Sequence, residues 1–367
     1  MTYKLKELIL KQNTAKLAEK VLSGGRLSRS EAVELMESAD LLSLAYIADE
    51  LRKQKTGNYA FYTRNLNINH TNICISRCRF CAFSRDAGDK DAYTMSLEEV
   101  LKKMEVDGVY EVHIVGGLHP ELPLSYYEDM LKAIKALKPD IFIQAFTAVE
   151  IDHFSKISGL SAREVLVRLK DSGIDTIPGG GAEIFNPEIR NEICPRKISG
   201  ERWLEIMETA HSIGIKTNAT MLYGLMESAE DRIDHMLKLR ELQDRTGGFQ
   251  AFVPLAFHPK NTDFERFDFT DGVDDLKVLA VSRIVLDNFP HIKALWMNLG
   301  IKLAQVSLFF GVDDLGGTCV EEKIVHAAGA RTPECITKDE LEKVMREAGR
   351  IPLECNSGYN VSLAKSL

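Results

Sequence analysis

The amino-acid sequence predicts an α/β fold, namely a (β/α)8 barrel of the TIM type with a helical extension before it and a tail after it. Segments typical of strands alternate with helical segments, about eight such units fit into roughly 250 residues, and the first strand lacks the G-x-G-x-x-G pattern of a doubly wound sheet. We therefore divide the 367 residues into a helical extension (1–60), a barrel (61–330) and a C-terminal extension (331–367) expected to pack on the barrel.

The first 60 residues predict helices that serve packing. Leu5, Leu8 and Ile9 recur at helical spacing in an opening segment of mixed charge, which is unlike a secretory signal. A capping box at Ser28–Glu31 opens the next helix, and another helix is expected at 41–55. No residue of this region suggests catalysis.

The barrel region predicts alternating strands and helices. Strands are expected near 62–70, 111–115, 141–145, 175–177, 216–222, 249–254, 292–296 and 311–314, and helices near 125–138, 228–243, 273–288 and 301–310. Capping boxes at Ser96–Glu99 and Ser161–Glu164 indicate two further helix starts. In such a barrel the chemistry lies on the loops that follow the strands.

The composition limits the class of protein. Hydrophobic residues make up 45% of the chain and charged residues 27%, which is ordinary for a globular protein and excludes a disordered one. The formal net charge of −8 argues against a nucleic-acid partner, and the sequence lacks a run of about 18 apolar residues that would predict a membrane span. A cytoplasmic enzyme that acts on a small molecule is expected.

Three of the seven cysteines lie close together, directly after the first predicted strand. Cys74, Cys78 and Cys81 have the spacing C-x₃-C-x₂-C, and three thiolates can hold three irons of a 4Fe–4S cluster while the fourth iron stays open to another ligand. A zinc site completed by His70, and a chance grouping of core cysteines, are the alternatives. The isolated cysteines are expected to hold no iron; they are Cys194, Cys319, Cys335 and Cys355.

The cysteine spacing, with an aromatic residue at Phe80, resembles the signature of the radical S-adenosylmethionine superfamily. The resemblance implies that the amine and carboxylate of S-adenosylmethionine bind the open iron. It also implies that one-electron reduction, by a donor such as flavodoxin or ferredoxin, releases methionine and a 5′-deoxyadenosyl radical. Gly116 and Gly117 match the glycine pair placed against the methionine moiety, where a side chain would occupy the space of the ligand.

Two further segments match places where this superfamily binds the rest of S-adenosylmethionine. The glycine triplet at 179–181 ends the predicted fourth strand, and Glu183 behind it is expected to bind the ribose hydroxyls. The fifth-strand segment 217–224, together with Glu227, matches the region that contacts adenine or ribose.

The resemblance covers most of residues 60–330 and extends to one branch of the superfamily, which makes menaquinone by the futalosine route and the deazaflavin cofactor. The segments at 113–117, 216–224 and 252–259 are most similar to those of the aminofutalosine synthase family. That similarity implies addition of the adenosyl radical to 3-[(1-carboxyvinyl)oxy]benzoate. The alternatives are hydrogen abstraction, as in cyclic dehypoxanthinyl futalosine synthases, and a non-catalytic iron–sulfur or zinc protein.

A substrate with two carboxylates requires polar or cationic partners at the strand ends. Three residues are expected to be catalytic, and four to bind substrate: His119, His258 and Tyr223, and then Arg79, Arg85, Asn218 and Asn298.

The chain departs from the family pattern in two places. Leu225 stands where a histidine is typical, and Cys355 with Asn356 replaces an Arg-Asp pair. If that arginine pairs with a substrate carboxylate, another cation must do so here.

Overall fold

The computed structural model describes residues 12–318 and 320–361. The expected helix around Leu5, Leu8 and Ile9, and the isolated Cys319, lie outside the described residues. Within the described part, no helix is long and apolar enough to cross a membrane.

The elements alternate as the sequence predicts. The strands are β1 (Tyr59–Thr63), β2 (Asn65–Ile68), β3 (Glu111–Ile114), β4 (Phe142–Ala145), β5 (Thr176–Ile177), β6 (Lys216–Tyr223), β7 (Phe249–Ala256), β8 (His291–Ile292), β9 (Asp314–Gly317) and β10 (Ile351–Glu354). The helices are α1 (Gln12–Leu22), α2 (Arg29–Ser38), α3 (Leu41–Thr56), α4 (Leu97–Lys103), α5 (Leu124–Leu137), α6 (Ala148–Ser158), α7 (Ala162–Ser172), α8 (Pro187–Ile193), α9 (Gly200–Ser212), α10 (Ala229–Thr246), α11 (Gly272–Val285), α12 (Trp296–Leu299), α13 (Ile301–Ser307), α14 (Ile324–Ala327) and α15 (Lys338–Glu347).

The strands form a curled parallel sheet, as expected for a barrel. Seven strands pair in the order β2-β3-β4-β5-β6-β7-β8, and a second parallel sheet has the order β10-β1-β9. Single bridges, Lys293 to Asp314 and Leu66 to Val320, join the two sheets. The predicted (β/α)8 class is therefore confirmed, with the ring closed by isolated bridges beside β9 instead of a full ladder.

Three strand predictions need correction. The segment expected as one strand at 62–70 is two strands, because the chain changes partners at Arg64: β1 pairs with β9 and β10, whereas β2 pairs with β3. The strand expected at 311–314 begins only at Asp314, as β9 (Asp314–Gly317). The segment expected as a strand at 292–296 has only Ile292 in β8. The chain then turns into α12, where the Trp296 indole donates to the carbonyl of Gly317 at 2.8 Å.

The predicted capping boxes are confirmed at Ser28–Glu31, Ser96–Glu99 and Ser161–Glu164. A further box at Thr147–Glu150 opens α6, a helix that the sequence analysis did not identify although its signal is present. The strand β10 was also missed, because a lone tail strand has no periodic neighbour in sequence.

The C-terminal segment closes one end of the barrel. β10 lies beside β1, and the following residues turn under the strands, where the Ser357 hydroxyl donates to Glu111 at 2.6 Å. The Tyr359 ring stacks on His291 with centroids 3.5 Å apart. The opposite end of the barrel, where the strands finish, stays open to the loops that carry the cysteines.

Candidate active site

A cavity of about 420 Å³ runs from the cysteine loop into the barrel. Its mouth is formed by the loops after the strands, including all three clustered cysteines and the glycines of two strand ends. Its interior is lined by the inward-facing residues of β2, β3, β4, β6 and β7. The site therefore lies where a barrel enzyme of this architecture places its chemistry.

Backbone hydrogen bonds hold the cysteine loop in place. The Cys81 amide donates to the carbonyl of Cys78 at 2.9 Å, and the Cys74 amide donates to the carbonyl of Arg85 at 3.0 Å. The Arg79 amide donates to the carbonyl of Ile193, which ties the loop to the end of α8 at 2.9 Å. The loop thus presents its three thiols from a fixed backbone.

The surroundings of two of the thiols favour the protonated form while no metal is bound. A hydrogen bond with Cys194, followed by burial, raises the pKa of the Cys78 thiol, and burial raises the pKa of Cys81. Such thiols lose their protons when an iron centre supplies the missing positive charge. The donor set therefore suits a cluster.

The surroundings of His70 argue against the zinc alternative, in which this residue would complete the site. His70 is fully buried, and its ring packs against Tyr126, Tyr127 and Phe146. Burial lowers the pKa of His70 to about 3, so it is a neutral core residue.

The glycine pair after β3 is required by close packing of the protein itself. A Cβ atom on Gly116 would lie 2.4 Å from the His70 ring, and one on Gly117 would lie 2.2 Å from the carbonyl oxygen of Ile73 and 3.0 Å from the Cβ of Cys74. The Gly116 amide donates to Glu150 at 3.0 Å. Glycine at these two positions therefore lets the end of β3 pack against the cysteine loop. This is a second reason for glycine here, besides the space for the methionine moiety that was inferred from the sequence.

Replacing Gly117 by alanine is expected to disturb the cysteine loop directly. The new methyl group can be accommodated only if the backbone at Ile73 moves, and that backbone carries Cys74. We expect reconstituted Gly117→Ala protein to bind less iron than wild type. Gly88→Ala is the matched control, since a Cβ there meets no atom within 4 Å. Equal iron content in both variants would contradict this role of the close contact.

A buried ion pair lies beside the cysteines. Glu183, behind the glycine triplet, pairs with Lys197 at 2.6 Å, and both side chains are buried. The Lys197 ammonium lies 5.1 Å from the centre of the Phe80 ring. Burial disfavours the charged form of Lys197, but its interactions with Cys78 and with the Glu183 carboxylate outweigh burial and hold its pKa well above the usual value. Glu183 thus reaches the cavity already bound to a cation that the sequence analysis missed.

The structure brings some of the predicted site residues to the cavity. Those that line it are Cys74, Cys78, Cys81, Phe80, Gly116, Gly117, Glu183, Asn218, His258 and Asn298. His258 is bound through its Nε2 to the carbonyl of Asn298 at 3.0 Å, and its Nδ1 has no hydrogen-bond partner. The side-chain oxygens of Asn218 and Asn298 are also without a partner. Each of these three atoms is buried and lacks a hydrogen-bond partner within the protein.

Tyr223 and Glu227 do not line the cavity. Side chains alternate along β6, so Asn218, on the inward face, and Tyr223, five residues later, point to opposite sides. The Tyr223 hydroxyl donates to Asp275 at 2.8 Å. Glu227 accepts three backbone amides of the loop after β6 and pairs with Arg232. Leu225 is buried in the apolar core.

Arg79, Arg85 and His119 also lie outside the cavity lining. Arg79 pairs with Glu192 and Asp263 at the surface, and Arg85 pairs with Asp91 at 2.8 Å. His119 accepts the amide of Glu121 through its Nδ1 at 3.1 Å. The sequence positions of these three residues suggested substrate contact. Their side chains are held instead by surface acidic residues or by a local turn.

The cavity contains polar residues that the sequence analysis did not select. Gln144 and Lys293 are buried and His113 is half-buried; they lie in or next to β4, β8 and β3, and all three line the cavity. Strands buried in a barrel are usually apolar, so polar residues inside predicted strands were the available signal. Lys197 gave no comparable signal, because it lies in a loop after α8.

A triplet of cysteines at the mouth of a parallel barrel, next to a glycine-rich strand end, defines a radical S-adenosylmethionine enzyme. A family model described as the radical SAM superfamily matches residues 68–239, and one described as the CofH/MqnC C-terminal region matches residues 246–365. The chain belongs to this superfamily and to its menaquinone and deazaflavin branch, and its cofactors are a 4Fe–4S cluster and S-adenosylmethionine.

Curated relatives cover nearly the whole chain. It is 47% identical over 350 residues to the aminodeoxyfutalosine synthase of Thermus thermophilus, spanning 94% of each chain. It is 43% identical over 359 residues to the aminodeoxyfutalosine synthase of Streptomyces coelicolor, spanning 94% of this chain and 93% of that one. A 5-amino-6-(D-ribitylamino)uracil–L-tyrosine 4-hydroxyphenyl transferase of Methanosarcina acetivorans is 44% identical over 345 residues, spanning 91% of each chain.

Solved structures share the fold. The FeFe-hydrogenase maturase HydG from Carboxydothermus hydrogenoformans superposes with a TM-score of 0.72 at 20% identity, covering 98% of this chain and 84% of that one. Methylornithine synthase (PylB) superposes with a TM-score of 0.72 at 17% identity, covering 93% and 98%. These similarities support the barrel architecture.

Proposed function

We propose that this protein is an aminofutalosine synthase. It joins the 5′-deoxyadenosyl group of S-adenosylmethionine to 3-[(1-carboxyvinyl)oxy]benzoate and, with water, yields 6-amino-6-deoxyfutalosine, methionine and bicarbonate, a step of menaquinone synthesis by the futalosine pathway. The observation that carries the proposal is the 47% identity to the Thermus thermophilus enzyme over 94% of both chains.

The cavity supports a reaction in which a radical adds to an alkene. When bound, the cluster and S-adenosylmethionine supply a 5′-deoxyadenosyl radical at the mouth. The residues that line the cavity, within the described chain, include no tyrosine or tryptophan, whose O–H or N–H bonds could quench such a radical. Leu118, Leu222, Leu255, Phe257 and Met297 supply apolar walls that exclude water.

We assign three polar atoms of the cavity lining to the substrate. His258 follows β7, Asn298 lies in α12 after β8, and Asn218 faces inward from within β6; each has an unsatisfied side-chain nitrogen or oxygen. Burial lowers the pKa of His258, which favours a neutral ring that binds by hydrogen bonding. We also assign the protein to the cytoplasm, with flavodoxin or ferredoxin as its electron donor.

The position of an isotope label tests the reaction. S-adenosylmethionine labelled in the adenosine carbons is incubated anaerobically with reduced enzyme and the enol ether. We expect the label in 6-amino-6-deoxyfutalosine, because a radical that adds becomes part of the product. Label found entirely in free 5′-deoxyadenosine, with dehypoxanthinyl futalosine consumed, would instead establish the hydrogen-abstracting sister reaction.

The transferase named among the relatives is a second candidate, since its members reach 44% identity with this chain. The same assay with tyrosine and 5-amino-6-(D-ribitylamino)uracil decides it. Consumption of these two compounds, with none of the enol ether, would contradict the proposed function.

A further inference from the structure

A row of polar side chains crosses the barrel interior below the cysteines. The strand register places Asn67 beside His113, and His113 beside Gln144. All three line the cavity and therefore face inward. His113 is four residues before Gly117, so it lies below the glycine pair by roughly four rises of a strand, about 3.3 Å each. The row therefore lies inside the barrel, below the mouth.

Two of these side chains present buried atoms that require a partner. His113 Nε2 and Gln144 Nε2 are buried, and neither has a hydrogen-bond partner in the protein. An unsatisfied buried polar atom destabilises the fold, so such atoms are retained where a ligand or water completes them. Burial lowers the pKa of His113 to about 4, and the ring therefore acts as a neutral hydrogen-bonding group.

A buried lysine, Lys293, lies within electrostatic range of His113. Lys293 lines the cavity, and its Nζ lies 3.1 Å from Asp314 Oδ2. The Asp314 carboxylate also accepts the Tyr359 hydroxyl and the Gly316 amide, both at 2.7 Å. An ammonium group has three N–H donors, and Asp314 takes one of them. The remaining donors of Lys293 can serve a ligand.

A second carboxyl group near Lys293, that of Glu111, does not prevent an anion from binding there. Glu111 accepts the hydroxyl and the amide of Ser357, so its oxygens are occupied by the protein. Burial raises the pKa of Glu111 to about 7, which reduces its negative charge at neutral pH. Asp314 and Glu111 therefore do not fully cancel the attraction of Lys293 for a further negative group.

We propose that His113, Gln144 and Lys293, which we call the polar end of the cavity, bind the ring carboxylate of an aromatic acid. With the proposed function, on which this identification rests, that acid is the benzoate substrate. Its reacting alkene must face the cofactor at the mouth, and the meta carboxylate then points into the barrel. An arginine is typical at position 355, where this chain has a cysteine. In this proposal Lys293 provides the positive charge that such an arginine would offer to a substrate carboxylate.

Binding of a matched pair of probes tests this site without turnover. The reconstituted holoenzyme, saturated with S-adenosylmethionine and kept oxidised, is titrated calorimetrically with 3-hydroxybenzoate and with its neutral isostere, 3-hydroxybenzamide. We expect wild type to prefer the acid. Lys293→Met and Gln144→Glu should each weaken binding of the acid by roughly 10- to 100-fold, as for loss of a charged hydrogen bond, and change amide binding far less.

Lys302→Met is the matched control, because it removes one lysine charge from an exposed position outside the cavity. If Lys293→Met fails to fold, Gln144→Glu decides the question, since the Gln144 nitrogen has no hydrogen bond to lose. Equal wild-type affinity for the two probes, or unchanged affinity of the folded variants for the acid, would overturn the proposal.

These experiments distinguish a failure of the proposed carboxylate site from a failure of the proposed function. Labelled product from wild type together with normal acid binding by both variants would reject the polar end as the carboxylate site and leave the proposed function intact. Loss of acid binding in the variants, with no labelled product in wild type, would retain the site and reject the function.

Discussion

Replacing Cys74, Cys78 or Cys81 by alanine is expected to abolish the iron–sulfur cluster. Wild type should reconstitute with about four irons and four sulfides per chain. Each variant removes one of the three protein ligands held on the loop, and the remaining two thiols cannot retain a cubane cluster. Iron and sulfide analysis after anaerobic reconstitution measures the result directly.

The other cysteines supply the controls for that experiment. Cys335 is exposed and Cys355 is buried at the closed end of the barrel, away from the cavity lining. Alanine at either position, and at Cys319, should leave the iron content at the wild-type value. Cys194 is the most demanding control, because its thiol contacts Cys78. Loss of the cluster in Cys194→Ala would show that this residue is a ligand and would refute the three-cysteine assignment.

Removing one partner of the Glu183–Lys197 pair is expected to lower the free energy of unfolding by about 3–5 kcal/mol. Glu183→Ala leaves the Lys197 ammonium buried beside the thiols without its carboxylate, and Lys197→Met leaves Glu183 buried without its cation. Urea denaturation of the apo protein measures both effects while the cluster is absent.

The double variant Glu183→Ala/Lys197→Met isolates the cause. Because both charges are gone, it should be more stable than the sum of the two single losses predicts. Additive losses would contradict a buried ion pair as the source of the effect. This comparison also matters for S-adenosylmethionine binding, since a loss of affinity in Glu183→Ala alone would combine a ribose contact with damage to the cysteine loop.

Much of the barrel could be predicted because its signals are local. Capping boxes such as Ser161–Glu164 act within one turn of helix, and strand–helix alternation follows from periods of two and 3.6 residues. The break at Arg64 and the short β8 could not be predicted, because each depends on which strand lies alongside. The pairing partners of a strand depend on the whole sheet and cannot be predicted from the sequence of the strand alone.

The candidate site likewise has features that the sequence predicts and features that it does not. The spacing of Cys74, Cys78 and Cys81 is contained in eight consecutive residues, so the sequence by itself determined the superfamily, the cluster and the position of the open end of the barrel. Only the tertiary structure showed that Tyr223 turns outward, that Arg79 and Arg85 pair at the surface, and that Lys197 and Lys293 bring positive charge to the cavity. The physical reason is that a side chain's role depends on the charges and space around it, and the fold supplies both from residues that can be as far apart in sequence as Arg79 and Asp263.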